Sequence, residues 1–164
     1  MFEIKLPDGS VRNCDKEITV LDFAKNLSIS LAKKTVGAIF NNVQVDVTYT
    51  MKEAGELKLI TIDSELGTNI LRHSTTHIMA QAVKRLYPNT KLAIGPVIEN
   101  GFYYDFDPEK PFTDEDLVAI EKEMNKIIKA NYKFQRHEYS VKELIDKYEK
   151  EGEIYKVEIL KGLD

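Results

Sequence analysis

Apolar and polar residues alternate over Phe2-Glu3-Ile4-Lys5-Leu6, the period of a strand with one buried face. Pro7-Asp8-Gly9-Ser10 predicts a turn, because Pro presets φ and Gly tolerates positive φ. Residues 11–14 then return as the second strand of a hairpin. Thr19 suits a helix N-cap, with Leu21, Phe23, Ala24 and Leu27 on the short helix that follows. Residues 36–40 are rich in β-formers; Asn41-Asn42 turns them into the alternating residues 43–47, and residues 57–62 close the unit. Several short strands around one helix predict a mixed-sheet α+β fold for residues 1–62.

The period changes afterwards. Residues 63–69 are polar with one Gly and read as a linker or helix lead-in. Residues 70–87 read as a long helix stopped by Pro88. Residues 92–98 and 102–106 read as strands joined by Glu99-Asn100-Gly101, an Asn-Gly hairpin signal. Thr113 caps a second helix, with Asp114, Glu115 and Asp116 in the first turn, where the helix dipole favours negative charge. Leu117, Ile120, Met124, Ile127 and Ile128 give that helix one apolar face. Residues 134–139 read as a strand. Ser140 with Glu143 is a capping box opening a third helix, which Gly152 ends, and residues 153–160 read as a last strand. Residues 63–164 are therefore a second α+β domain. The chain shows no internal repeat and no low-complexity segment.

Composition narrows the function classes. The chain has 164 residues, 43% hydrophobic and 30% charged, in the range of globular proteins. No apolar run approaches the roughly 18 residues of a membrane span, and the N-terminus lacks the basic and apolar segments of a secretory signal. Cys14 is the only cysteine, which excludes an internal disulfide and fits a cytoplasmic localisation. The net charge is −4; residues 1–62 carry 8 charges of each sign, and residues 63–164 carry 15 positive and 19 negative. That balance lacks the electrostatic footprint of an independent nucleic-acid binder.

Chemistry concentrates on the long helix. His73 and His77 lie one turn apart, so both rings project from one face. Leu71, Ile78, Met79, Ala82, Val83 and Leu86 cluster on one side of this helix, while His73, His77, Ala80 and Lys84 fall nearly opposite, facing solvent or a cleft. The spacing alone fits two solvated polar residues equally well. A zinc site would need further ligands, and His73-Ser74-Thr75-Thr76-His77 lacks the glutamate that zinc proteases use as a base. A second candidate is Ile94-Gly95-Pro96-Val97 followed by Asn100-Gly101-Phe102-Tyr103-Tyr104-Asp105, where Gly95 permits close approach of a ligand or another backbone. Pattern alone favours an aromatic hairpin there. Lys156 sits in the last predicted strand, beside Ile154 and Leu160 on its own face; burial there would lower its pKa, though a snorkelling surface lysine is commoner. His137 falls in a polar segment that assigns it no role.

Together and in this order, these segments resemble the N-terminal half of bacterial threonyl-tRNA synthetases. Residues 1–62, opening on Leu6-Pro7-Asp8-Gly9-Ser10, look like a TGS domain, a small β-grasp module. Leu71-Arg72-His73-Ser74-Thr75-Thr76-His77, Ile94-Gly95-Pro96-Val97-Ile98, Asn100 to Asp105 and Tyr155-Lys156-Val157 look like the editing domain of the threonyl/alanyl type over residues 63–164. The resemblance implies hydrolysis of mischarged seryl-tRNA(Thr), with tRNA(Thr) bound by its 3′ end. It implies that His73 and Lys156 activate or position water and stabilise charge, and that His77, Gly95 and Tyr104 shape the substrate pocket. It implies no metal or other cofactor in this region; ATP and zinc belong to the catalytic domain of the family. It also implies a homodimeric parent enzyme and a monomeric fragment, with no membrane partner. The family's site is completed by a Cys-x-x-x-His motif, which the chain does not reach before Asp164, so the resemblance implies an N-terminal fragment with an editing domain incomplete at its C-terminal end. Two other readings stay open: a non-catalytic TGS-containing module that binds RNA or the ribosome, and a free-standing hydrolase of the alanyl editing type.

Overall fold

The first alternating residues form β1 (Phe2–Lys5), antiparallel to β2 (Val11–Cys14), with Ile4 fully buried between the exposed Glu3 and Lys5. This is a computed structural model, and it describes residues 1–163. Gly9 takes φ +83 in the connecting turn, in the left-handed region that suits glycine. After β3 (Ile18–Thr19), the Thr19 hydroxyl accepts from the Asp22 amide at 3.0 Å and opens α1 (Val20–Leu27). A second short helix, α2 (Ile29–Lys34), follows at once, capped by Ser28. The sequence reading passed over it. There follow β4 (Thr35–Phe40), β5 (Val43–Val45), β6 (Thr50–Met51) and β7 (Gly55–Thr61). Asn41 and Asn42 both take positive φ between β4 and β5, as their tolerance of the left-handed region allows.

The main sheet has the order β2-β1-β7-β4-β5, with β1 and β7 parallel and the other pairs antiparallel; β3 pairs with β6. Phe23 of α1 reaches the core formed by Ile4, Val20, Ala38, Phe40, Met51 and Leu57. The mixed α+β sheet expected for this part is present.

Helix α3 (Glu65–Leu86) starts earlier than its apolar spacing predicted. Ser64 accepts from the Gly67 amide at 3.1 Å and donates to the Thr61 carbonyl, so of the two readings of the polar stretch, linker or helix lead-in, the structure shows the second: from Glu65 on it is the first turns of the helix. The chain divides into two compact units, Met1–Arg72 and the residues from His73 onward, and α3 runs through the division.

In the second unit, β8 (Lys91–Leu92) pairs with β11 (Phe106–Asp107), and β9 (Val97–Ile98) pairs with β10 (Gly101–Phe102). Ala93 donates to Asp105 and Asp105 to Ile94, so these short pairs are two ends of one hairpin interrupted near Pro96. Proline offers no ladder donor, which accounts for the break. Helices α4 (Asp114–Ala130) and α5 (Val141–Glu151) each open on a complete capping box. The core joins Ala82 and Val83 of α3 to Ile120 and Ile127 of α4, with Phe106 and Phe112 packed alongside.

Two expected strands are absent. Residues 134–139 carry no regular structure, and Phe134 is 80% exposed. Alternation makes a strand only where a neighbour takes its hydrogen bonds, and none of the described strands pairs with this stretch. Residues 153–160 form a helix instead, α6 (Ile154–Lys161). Gly152 at φ +69 reverses the chain out of α5, the Val157 amide donates to the Glu153 carbonyl, and Val157 is buried. The β-branched and aromatic residues there are overruled by packing.

Candidate functional site

The site is assembled in the second unit from α3, the hairpin and α6. Thr76 is buried and its hydroxyl donates to the His73 carbonyl at 2.7 Å, while the two histidines on either side remain exposed. Their Nε2 atoms face each other at 3.0 Å, with ring centroids 4.7 Å apart and planes at 86°. One ring nitrogen must donate and the other accept, since two lone pairs at this distance repel. The stripe His73, His77, Ala80, Lys84 predicted from the spacing runs from an open rim into a covered end: Ala80 is buried and Lys84 is in an ion pair.

His77 is held below its ordinary pKa, first by partial burial of the ring, then by His73 and by the positive charge of Lys156. Lys156 is thus close enough to act on His77 electrostatically. It stands on the first turn of a helix rather than on a strand, so the predicted placement beside Ile154 does not hold. Its ammonium lies 4.9 Å from the centre of the Tyr148 ring. Among the described residues it makes no hydrogen bond or ion pair, which leaves a cation available to a ligand.

Gly95 and Tyr104 face each other across the hairpin. The Tyr104 ring covers Gly95 so closely that any side chain there would collide with Cδ2 and Cε2. Tyr104 also stacks on Phe106, centroids 4.6 Å apart and planes at 15°. Burial, then the charge of Glu153, raises the Tyr104 hydroxyl above its ordinary pKa. All five residues singled out in the sequence therefore belong to one unit. His137 is exposed against Tyr139. Among the described residues no group of three or more potential ligands could hold a metal ion.

One residue at the site escaped the sequence reading. Glu153 is only 3% exposed, yet it is charged. Its Oε1 accepts from Lys84 Nζ at 2.8 Å and its Oε2 from the Leu92 amide at 3.4 Å. Lys84 donates as well to the carbonyls of Pro88 (2.8 Å) and Thr90 (3.1 Å). Burial pushes the Glu153 carboxyl up, but Lys84, Lys156 and the Leu92 amide together hold it below the usual carboxylate value. The available signal was the position of Lys84 on the histidine stripe. A cavity of about 410 Å³ lies elsewhere in the unit, around Tyr87, Pro88, Pro111 and Phe112, and none of the five residues lines it.

Residues 2–61 match the TGS domain family. Over 163 residues the chain is 48% identical to a threonine–tRNA ligase of Carboxydothermus hydrogenoformans, covering 99% of this chain and 26% of that protein. It is 50% identical over 160 residues to the threonine–tRNA ligase of Caldanaerobacter subterraneus subsp. tengcongensis, covering 98% and 25%. It is 43% identical over 164 residues to that of Finegoldia magna, covering 100% and 26%. The chain spans about a quarter of the length of the curated relatives it matches.

Proposed function

This chain is homologous to the N-terminal region of bacterial threonine–tRNA ligases, and we propose that its second unit hydrolyses seryl-tRNA(Thr) made in error by such a ligase. Serine differs from threonine by one missing methyl, worth only about 1–3 kcal/mol of discrimination in a binding pocket. A separate hydrolytic site removes the errors that binding admits.

The observation that supports this reading is the exposed imidazole pair with the ammonium of Lys156, which lies over the Tyr148 ring, in electrostatic range of it. In the proposed step a water, positioned by His73, attacks the ester carbonyl carbon and gives its proton to the imidazole. The carbonyl oxygen takes up negative charge, which Lys156 stabilises. The bond from carbon to the ribose oxygen breaks, that oxygen recovers a proton, and serine leaves. The depressed basicity of His77 keeps its ring neutral near pH 7, suited to hydrogen bonding at the seryl and adenosine groups. The Gly95–Tyr104 contact supplies a flat wall for the 3′ end. The partner is the 3′ end of tRNA(Thr), and the step calls for no cofactor. The acidic charge of this part puts most of the grip on tRNA elsewhere in the ligase.

The test is deacylation of seryl-tRNA(Thr) and threonyl-tRNA(Thr) by a full-length ligase carrying this region. The seryl ester is hydrolysed and the threonyl ester spared. His73→Ala slows the seryl reaction by about 10²–10⁴-fold, the usual contribution of a positioned acid or base. An unchanged rate rejects the catalytic role, and tight tRNA binding without hydrolysis favours a non-catalytic module.

A further inference from the structure

The buried carboxylate of Glu153 has no part in the step above, yet it touches every element that carries that step. It lies at the N-terminus of α6, three residues before Lys156 and so on the same side of that helix. It accepts from Lys84, which lies on the histidine stripe of α3 two turns beyond His77, about 10 Å along the axis. It also accepts from Leu92 in β8, which leads into Gly95. Lys84 spends its remaining donors on Pro88 and Thr90, so the whole cluster is satisfied. A charge this deeply buried is costly unless its geometry is fixed by several partners.

We propose that Glu153 is a positioning residue: by fastening α6 to the histidine stripe through Lys84 and to the hairpin through Leu92, it sets where Lys156 stands relative to His77. This rests on the editing reading for its consequence in catalysis, but the placement itself is testable without it.

The experiment follows the His77 imidazole by ¹H–¹⁵N NMR titration in this chain. Removing the Glu153 charge would by itself lower the His77 midpoint. Releasing Lys156 from its place raises it. Glu153→Gln is therefore expected to move the midpoint upward, Lys156→Met to do the same, and the two together to move it no further than Lys156→Met alone. A midpoint that stays or falls in Glu153→Gln, or an additive double variant, overturns the proposal and leaves Glu153 as a stabilising group only. Should Glu153→Gln fail to fold, Glu153→Gln with Lys84→Met replaces both charges by neutral groups, which buried pairs commonly tolerate, and the same upward move is expected. In the full-length ligase Glu153→Gln slows seryl-tRNA(Thr) hydrolysis by about 10–100-fold, the cost of a small misplacement, with little change in KM. A wild-type enzyme that hydrolyses nothing defeats the editing reading while the NMR result still decides the role of Glu153.

Discussion

At the residue scale, His77 couples its protonation to stability. Its folded pKa lies below its ordinary 6.5, so below that value the unfolded chain binds a proton that the folded chain resists. The contribution to stability is therefore fully present above 6.5 and is lost as pH falls below 6.5 toward the lowered folded value. Thermal melts between pH 7 and 5.5 are expected to show a falling Tm in the wild type and a flatter dependence in His77→Asn; equal slopes would remove His77 as the cause. The exposed placement of His73 and His77 was legible because helical spacing fixes which positions share a face. Lys156 was legible as a residue of interest but not as a position, because its face was inferred from the wrong period. Glu153 was illegible: a single acidic residue after a glycine gives no sign that a lysine almost seventy positions away in the chain will be buried with it.

At the element scale, success followed locality. The caps of α1, α4 and α5 are written within four residues and were read correctly. Helix α6 was not, since its Ile, Tyr and Val favour a strand, and only packing of Val157 and the Glu153 pair selects the helix. Helix α2 was missed because it is six residues long and follows α1 without a break. The turn between α5 and α6 depends on Gly152, whose left-handed conformation penalises a side chain. A Cβ there would meet only the flexible end of Lys91 at 3.4 Å, so the cost is in the backbone. Gly152→Ala is expected to destabilise the second unit by about 1 kcal/mol, measurable by urea denaturation; a neutral result would mean that the turn relaxes freely.

At the scale of the whole molecule, the two cores share no residue. The first is closed by Ile4, which is completely buried. Ile4→Ala is expected to destabilise the first unit by about 2–5 kcal/mol, while the His77 titration stays in place. A shift of His77 in that variant would show that the first core shapes the site. The α+β class of the first unit was legible from alternation and turns alone, because a half-buried sheet leaves its period in the sequence. The second unit was less so: its strands are two residues long, too short to carry a period.

The two rings that meet through Nε2 leave both Nδ1 atoms outside that contact. If the proton between them sits on one ring, that ring exposes a bare Nδ1 and its neighbour an Nδ1–H. A hop of the shared proton, with compensating exchange outside, swaps the two ends. The couple thus has a reversible polarity: whichever ring presents an acceptor, the other presents a donor, and reversing the direction moves neither side chain.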